Sequence, residues 1–397
     1  MAFAHNDREV LKHVLQTPGF LELTRVPVLA PMEIGLVLLC YGTFAASTTL
    51  WAAGHLPLAA MMLINGCAIY AVFTPLHDAT HRTVSSNRKL NDLIGTIACG
   101  LLLPGITTRI YRYLHLEHHR HAGCKERDPD EPFVSATGWR AIAVTAGLDV
   151  LWVSWYLRRW QSRPAAERRE FALSIGIYVG LHVIMLASPW RTEFFLAWML
   201  PQRLGLFLVS WFFARIQHPE DVLWEDTPFQ TTVRIVCSTL GDVLMIGQTR
   251  HCLHHLAPSV PYYRYHAAWR IGRERFEAQG VPIRSLWSDE LTSIEAHDDK
   301  GAPADLIGDR AFEVEIASTG EVLHVGADET LLDVLNANGH YVMSACAQGL
   351  CGSCRTPVIA GEPDHRDAVL SEEERARNDE MTVCVSRAKS TRLVLDL

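Results

Sequence analysis

The apolar positions divide the chain into two parts. Residues 30 to about 250 carry long apolar runs, whereas residues 275–397 have the acidic composition of a soluble domain. Four runs are long enough to cross a bilayer, which takes about 20 helical residues. These runs cover Ile34–Ala53, Pro57–Leu76, Phe171–Ser188 and Phe194–Phe213. The pattern predicts an α-helical integral membrane domain with four transmembrane helices, followed by a small soluble domain.

Two further apolar stretches, Leu93–Ile106 and Ala141–Tyr156, are shorter or interrupted by charged residues. We predict that both are helices that lie in the membrane interface or are partly re-entrant. The alternative is that Ala141–Tyr156 forms a fifth span. A fifth span would put the histidine clusters described below on opposite sides of the membrane.

Basic residues indicate which ends of the spans face the cytoplasm. The segments "HRTVSSNRK", "TTRIYRY" and "YLRRWQSRPAAERRE" are rich in Arg and Lys, whereas the turns "GHLP" and "SPWRTE" are not. The positive-inside rule therefore places both termini and the soluble domain in the cytoplasm, and the expected location is a bacterial inner membrane. No signal peptide is expected. The net charge of −8 comes largely from the soluble part and argues against a nucleic-acid partner.

Histidines recur in three clusters, "HDATH", "HLEHH" and "HCLHH", at spacings that put side chains on one face of a helix. Each cluster lies next to a predicted span on the cytoplasmic side. The clustered residues are His77, His81, His115, His118, His119, His251, His254 and His255. Imidazole binds Zn, Cu, Fe and Ni, and so many ligands suit two ions better than one. The histidines alone would serve either a metalloenzyme or a metal transporter.

Other polar residues near the clusters have more than one interpretation. His218, at the end of the fourth span, is predicted as a ninth ligand, although a histidine that interacts with helix-terminal carbonyls is the alternative. His121 is expected beside the ligands or in solvent, with direct ligation as the alternative, and His182, inside the third span, is expected to be structural. Asp78 and Glu117 are expected to hydrogen-bond ligand imidazoles, and solvent exposure is the alternative. The motif "RDPD", with Asp128 and Asp130, either orients ligands or caps a loop.

Four cysteines near the C-terminus have the spacing of an iron–sulfur site. Cys346, Cys351 and Cys354 form C-x4-C-x2-C, and Cys384 follows. This is the plant-type [2Fe–2S] spacing, whereas a structural zinc site usually has a second C-x2-C pair that is missing here. The upstream segments "FEVEIASTGEVLHV" and "DETLLDVLNANG" are typical of a β-hairpin and a helix. The sequence therefore predicts a [2Fe–2S] cluster bound by these four thiolates.

The segment from about residue 309 to the end resembles the ferredoxin domains of phthalate dioxygenase-type and vanillate demethylase-type reductases. The similarity extends along "GEPDHRDAVLSEEE" and "VCVSRAKSTRLVLDL". The resemblance implies a small α+β domain of the β-grasp fold. Those reductases also have flavin and nicotinamide domains, but this sequence has no nucleotide-binding fingerprint such as G-x-G-x-x-G. The expected electron donor is therefore a separate NAD(P)H-dependent flavin reductase.

Residues of roughly 30–270 resemble the membrane fatty acid desaturase superfamily. The three histidine clusters match its boxes, and "HDATHR", "HHRHAG" with "RDPD", and "HHLAPSVPYYR" are similar to the bacterial branch that includes carotenoid ketolases and hydroxylases. The resemblance implies two non-haem iron ions bound by the eight clustered histidines as catalytic ligands. It also implies that His218 completes the site, because family members often have an additional histidine upstream of the third box.

Together, the two resemblances predict an O2-dependent di-iron oxidoreductase that desaturates or hydroxylates an unactivated C–H bond of a lipid or hydrocarbon chain. A hydroxylase or ketolase of carotenoids or other hydrophobic metabolites is the first alternative, and a histidine-rich metal transporter or sensor is the second. The predicted divisions are a cytoplasmic segment at 1–30, a membrane di-iron domain at 31–275, a linker at 276–308 and a ferredoxin domain at 309–397. The linker is expected to keep the electron donor close to its acceptor.

Overall fold

Helices build the N-terminal part of the protein, and a small mixed sheet builds the C-terminal part. The computed structural model describes residues 5–286, 291–292 and 310–397. The helices are α1 (His5–Leu15), α2 (Pro18–Thr24), α3 (Pro31–Ala52), α4 (Leu58–Ala71), α5 (Phe73–Thr80), α6 (Arg88–Leu102), α7 (Thr108–His121), α8 (Glu131–Ser135), α9 (Gly138–Ala146), α10 (Leu148–Arg158), α11 (Ala165–Ala187), α12 (Arg191–Phe194), α13 (Leu200–Val209), α14 (Thr239–Leu244), α15 (His251–Leu256), α16 (Tyr265–Ala278), α17 (Leu331–Ala337) and α18 (Glu372–Arg377). The strands are β1 (Arg234–Val236), β2 (Ile283–Ser285), β3 (Leu291–Thr292), β4 (Phe312–Ile316), β5 (Val322–Val325), β6 (Arg355–Ala360), β7 (Pro363–Asp364), β8 (Glu380–Thr382), β9 (Arg387–Ala388) and β10 (Arg392–Leu395).

Among the described residues, four helical segments are long and apolar enough to cross a membrane. They are Pro31–Ala52, Leu58–Thr80, Ala165–Ala187 and Arg191–Arg215. Each overlaps one predicted run, so the prediction of four long apolar helices is confirmed. The third begins at Ala165, earlier than predicted, because the charged segment that precedes the apolar run is also helical. Pro164 lies just before this helix, a position that proline tolerates.

The two shorter apolar stretches differ from the prediction in their limits. Helix α6 begins at Arg88 because the Asn87 side chain accepts hydrogen bonds from the amides of Lys89 and Leu90, both at 3.1 Å. The stretch predicted at Ala141–Tyr156 is two helices, α9 and α10, which meet at Gly147 and have 9 and 11 residues. Neither is long enough to cross a bilayer, which argues against the alternative of a fifth span.

The fourth apolar segment is not a uniform α-helix. It contains two π-helical turns, Phe195–Met199 and Ser210–Arg215, on either side of α13. Pro201 lacks a backbone N–H and so cannot make the regular helical hydrogen bond, which fits the irregular turn that precedes it. The second π turn ends three residues before His218. Such turns are frequent at functional sites because they change the direction of the chain that follows.

The second and fourth apolar segments pack closely against each other. Gly205 on α13 faces Ile69 on α4, and a Cβ atom at Gly205 would lie 2.5 Å from Ile69 Cγ2. A small residue at this position is therefore needed for the helices to approach. The amide of Asn65 adds a polar connection, because it donates to the Ala197 carbonyl at 2.8 Å and also hydrogen-bonds Ser47 on α3.

The C-terminal part has a five-stranded sheet with strand order β5-β4-β10-β6-β8. Strands β4 and β5 are the predicted hairpin, and β10 pairs in parallel with β4 and antiparallel with β6. Helix α17 begins after Thr330, whose hydroxyl accepts a hydrogen bond from the Asp333 amide at 3.1 Å. The sheet and α17 share one apolar core, which includes Cys354 and Cys384. This small sheet-containing unit agrees with the α+β prediction.

Candidate metal centres

Three short helices and the end of the fourth apolar segment bring the clustered histidines together. Helix α5 and the residue after it carry the first cluster, α7 the second and α15 the third. Eight imidazoles form two groups, and within each group one possible ligand atom per residue lies within 4.8 Å of the others. The groups are His77, His81, His115 and His254, and His118, His218, His251 and His255. The predicted ninth histidine, His218, therefore lies in the second group.

His119 lies between the two groups. Its Nε2 atom is 2.8 Å from Nε2 of His254 and 3.0 Å from Nε2 of His115 in the first group. Its ring also stacks on the ring of His255 in the second group, with the centroids 4.2 Å apart. All nine imidazoles that the sequence singled out are thus in one place.

For five of these imidazoles, the direction of the pKa shift favours the neutral form. Burial, followed by repulsion from neighbouring imidazoles, lowers the pKa of His115, His119 and His254 well below the ordinary value. The same causes, in the same order, lower the pKa of His218 and His255. Neutral imidazole has a free nitrogen lone pair, which is the form that binds a metal.

Many ring nitrogens in the two groups have no hydrogen-bond partner among the described residues. These atoms are Nε2 of His77 and His251, and both ring nitrogens of His81, His218 and His255. A buried polar atom without a partner is costly, so its presence in a folded protein calls for an explanation. Metal ions bound by the two groups would satisfy one nitrogen of each of these imidazoles, and so the residues present fit a pair of metal ions.

Carboxylates that belong to neither histidine group contact one of the clustered imidazoles, His118. Asp128 Oδ1 lies 2.9 Å from His118 Nδ1, and Asp130 Oδ2 lies 3.7 Å from the same nitrogen. Burial lowers the pKa of His118, but Asp128 and Asp130 more than offset this effect and raise it to about 9. The Trp152 indole donates to Asp130 at 2.7 Å and holds this carboxylate in turn. The orienting role, one of two expected for "RDPD", therefore agrees with the geometry.

Asp78 also contacts a clustered histidine, but Glu117 does not among the described residues. Asp78 Oδ1 lies 3.3 Å from His77 Nδ1, and its other oxygen accepts a hydrogen bond from the Tyr262 amide at 2.9 Å. The carboxylate of Glu117 instead approaches Arg120 at 4.0 Å. The difference arises because Glu117 follows His115 by two positions, which turns it away from the ligand face of α7.

Two further contacts were not predicted from the sequence. The Tyr265 hydroxyl lies 3.0 Å from His254 Nδ1, and Gln248 Oε1 lies 3.3 Å from His251 Nδ1. Gln248 precedes His251 by three residues, so helical spacing could have suggested it. Tyr265 begins a different helix, α16, and no local pattern relates it to His254.

The remaining histidines near the site have other surroundings. His121 Nδ1 lies 3.4 Å from Glu225 Oε1, so this residue is beside the centre and outside both groups. The Nδ1–H group of His182 donates to the Tyr178 carbonyl oxygen at 2.9 Å, and the ring packs against Trp198. Both placements agree with the roles expected for these residues.

The four C-terminal cysteines lie around one loop. Cys354 Sγ is 3.2 Å from Cys384 Sγ, and the Gln348 amide donates to Cys346 Sγ at 3.3 Å. The hydrogen bond from Cys346 lowers the pKa of Cys351 to about 6, despite the opposing effect of burial. Gly349 has a φ of +72°, and a Cβ atom there would lie 2.5 Å from Val385. The loop therefore curls as predicted and can present thiolates to a cluster.

This combination of sites defines an oxidoreductase with a histidine-bound metal pair and an iron–sulfur electron carrier. A family model described as "Fatty acid desaturase" matches residues 46–287, and one described as "2Fe-2S iron-sulfur cluster binding domain" matches residues 314–389. The chain belongs to the fatty acid desaturase family. These matches support the di-iron centre and the [2Fe–2S] cluster, and the two histidine groups fit the former. An enzyme is therefore favoured over the transporter or sensor that histidines alone would allow.

Relatives of the chain are similar to it over a stretch about as long as the C-terminal domain. Vanillate O-demethylase oxidoreductase of Pseudomonas sp. (strain HR199 / DSM 7063) is 55% identical over 96 residues, which are 24% of this chain and 30% of that protein. The reductase subunit of tert-butanol monooxygenase / tert-amyl alcohol desaturase of Aquincola tertiaricarbonis is 45% identical over 102 residues, which are 25% of this chain and 30% of that protein. The chain thus spans less than a third of the length of these curated relatives.

Solved structures show a similarly local likeness. Phthalate dioxygenase reductase is 31% identical, with 34% of this chain and 38% of that chain covered and a TM-score of 0.24. The structure of Pseudomonas putida CBB5 NdmA with the ferredoxin domain of NdmD is 37% identical, with 22% and 99% covered and a TM-score of 0.21.

Proposed function

We propose that the protein is a membrane-embedded, O2-dependent di-iron enzyme that desaturates or hydroxylates a C–H bond of a lipid or hydrocarbon chain. Its own ferredoxin domain delivers the electrons, which come from a separate NAD(P)H-dependent flavin reductase. One observation carries the proposal: two buried groups of four histidines lie on the same chain as a [2Fe–2S] domain. An iron–sulfur carrier supplies electrons one at a time, which a redox-inert zinc pair could not accept.

In this proposal each histidine group would hold one iron ion, and His119, which contacts members of both groups, would supply a further ligand. When bound, the iron pair supplies the activation of O2 and the removal of hydrogen from the substrate. Asp128 fixes the ring of His118 through Nδ1, and Tyr265 and Gln248 do the same for His254 and His251. These contacts set the direction of each ligand before metal binds. Cys346, Cys351, Cys354 and Cys384 hold the cluster.

Aromatic side chains form an apolar wall beside the first histidine group. The rings of Phe73 and Phe213 each lie 5.8 Å from the ring of His77, and Tyr111 stacks on His115 at 5.6 Å. All three are buried. We infer that these rings exclude bulk water from the reacting atoms and favour an apolar chain as substrate.

The proposed membrane placement is supported by apolar side chains on the outside of the helical part. Leu38 and Leu39 on α3 are 67% and 64% exposed, and Ile184 on α11 is 64% exposed. Exposed apolar faces of this length are unfavourable in water and suit lipid contact. The basic loops support a cytoplasmic location for both termini and the ferredoxin domain. The divisions 1–30, 31–275, 276–308 and 309–397 belong to this proposal, and most of the linker lies outside the described residues.

The substrate class can be tested in a host that expresses the full chain with a matched reductase. Growth under 18O2, followed by mass spectrometry of lipid extracts, distinguishes the two reactions. Label in a new product indicates hydroxylation, and the loss of one hydrogen pair without label indicates desaturation. The absence of any new lipid product from cells in which both metal centres are loaded would contradict the proposal. The variant His254→Ala, which removes a member of the first histidine group, is the negative control.

A further inference from the structure

The loop that carries the cluster cysteines lies against the outer face of α7. Leu116, which directly follows His115, belongs to a small buried apolar cluster with Ala345 and Cys351. Met343 and Cys346 pack against the same cluster. One side of α7 therefore carries metal-binding histidines, and the other side contacts residues that hold the iron–sulfur cluster.

A second part of the ferredoxin domain packs into the apolar core that also contains the helix of the third histidine cluster. Leu350 and Ala368 belong to a buried apolar cluster with Leu253 and Leu256 of α15, the helix that carries His254 and His255. Cys346 packs against this cluster as well. The cysteine loop thus packs against α7 and joins the apolar core that includes α15, two of the three helices that build the histidine site.

Polar contacts fix the orientation of this interface. The Arg120 guanidinium donates to the Ser344 hydroxyl at 2.6 Å. The Arg163 guanidinium lies 4.4 Å from the ring centroid of Tyr341 and is itself held by Glu167 at 2.9 Å. These contacts favour a single orientation of the ferredoxin domain relative to the helical part, because hydrogen bonds and cation–π contacts depend on direction.

Complementary charges surround the apolar contact. Arg25 and Arg88 of the helical part lie 3.6 Å from Glu373 and 3.8 Å from Glu380 of the ferredoxin domain, respectively. The basic residues belong to the helical part in both pairs, and the acidic residues to the ferredoxin domain. Such pairs contribute little binding energy when exposed, but they steer two surfaces into register.

We propose that the outer face of α7, with Leu116 and Arg120 at its centre, is the docking site of the chain's own ferredoxin domain and the electron entry point of the di-iron centre. The electron leaves the cluster at Cys351, crosses the contact with Leu116 and reaches the centre at His115. With both groups bound, each transfer would oxidise the cluster by one electron and reduce the histidine-bound metal by one, with no bond formed or broken and no proton moved. This inference rests on the proposed function for the identity of the acceptor.

The test uses full-length protein with both centres loaded. The variants are Arg120→Gln, Ser344→Ala and their combination, and the control Arg392→Gln removes the same charge from a pair with Glu313 inside the ferredoxin domain. The cluster is reduced, and its reoxidation by the histidine centre is followed through its visible absorbance. Hydrogen exchange of Thr108–His121 reports on docking without any need for turnover.

The Arg120→Gln and Ser344→Ala variants should reoxidise the cluster about tenfold more slowly, because each removes one charge-assisted hydrogen bond from the docked state. The double variant should be no slower than either single variant, since both remove the same interaction. Exchange in α7 should rise in all three, whereas iron content and the cluster spectrum stay unchanged. Arg392→Gln should behave as the unaltered protein in every respect.

Equal reoxidation rates and equal exchange in Arg120→Gln and Arg392→Gln would overturn the docking site. A reoxidation rate that rises in proportion to protein concentration would also overturn it, because the ferredoxin domain of another copy would then be the donor. If the unaltered chain formed no oxidised or desaturated product while the exchange difference persisted, the proposed function would fail and the docking site would stand.

Discussion

The carboxylate of Asp128 fixes the ring orientation of a histidine in the second group, His118. Asp128 contacts His118 Nδ1 at 2.9 Å in a fully buried position, and the carboxylate also accepts the Gly123 and Asp130 amides. A ligand imidazole with a fixed ring and tautomer binds metal more tightly than one that can rotate. The Asp128 side chain therefore matters to the second histidine group although it lies outside it.

The Asp128→Asn variant should lose metal from the histidine site. The amide keeps the shape of the side chain but cannot stabilise the imidazole as a carboxylate does, and contacts of this kind are worth about 10- to 100-fold in metal affinity. Iron retained after dialysis against a chelator measures the effect. Asp221→Asn, which changes an exposed carboxylate paired with Lys125, is the matched control. Equal iron retention in the two variants would show that Asp128 does not orient a ligand.

The Tyr265→Phe variant tests a contact that sequence patterns do not reveal. Removal of the hydroxyl leaves His254 Nδ1 buried without its partner at 3.0 Å. We expect a loss of about 1 kcal/mol in stability, together with faster release of iron to a chelator. Thermal unfolding and the kinetics of iron release measure the two effects. Tyr263→Phe, a neighbouring half-buried tyrosine, should change neither, and a matching change in both variants would exclude a specific role.

At the scale of helices, the sequence predicted the histidine faces well. Spacings of three and four residues placed His115, His118 and His119 on one side of α7, as helical geometry requires. The sequence did not predict that α10 would begin at Leu148 or that π turns would interrupt the fourth span. These features depend on how Gly147 and Pro201 are accommodated by neighbouring helices, and hydropathy does not report on that.

Asn65 is an element-scale connection between three apolar helices. It hydrogen-bonds Ser47 and Thr48 on α3, and it donates to the Ala197 carbonyl in the first π turn at 2.8 Å. The Asn65→Ala variant should destabilise the helical part by about 1 kcal/mol, the usual worth of hydrogen bonds between membrane helices. Thermal unfolding in detergent measures the change. Cys67→Ala, at an exposed position of the same helix, should have no effect, and equal unfolding temperatures for both variants would contradict this role.

At the scale of the whole molecule, the two halves could each be predicted from local motifs, but their relative placement could not. The cysteine spacing and the hairpin pattern indicated the ferredoxin domain, and the histidine spacing indicated the metal site. Contacts such as Leu116 with Cys351 join residues far apart in the chain, with no shared pattern. The sequence suggested only that a linker keeps donor and acceptor close, whereas the structure identifies the surfaces that meet.

A substitution that removes one metal centre should leave the other in place, because the ligands of the two centres belong to different parts of the chain. His254→Ala should lower the iron bound by the first histidine group and stop turnover, while the [2Fe–2S] absorbance remains. Cys351→Ser should remove the cluster spectrum and spare the histidine-bound iron. Metal analysis and visible spectra of the purified variants distinguish these results. Loss of both centres in either variant would indicate a general folding defect.

The most direct test of the account is Mössbauer spectroscopy of the full-length protein grown on isotopically enriched iron. We predict two classes of iron in the unaltered chain, one ligated by sulfur in the cluster and one ligated by nitrogen in the histidine groups. The nitrogen-ligated class should decrease in His118→Ala and in His254→Ala, which affect one histidine group each, while the sulfur-ligated class is retained. Iron confined to the cluster of the unaltered protein, with zinc or no metal at the histidines, would contradict the account.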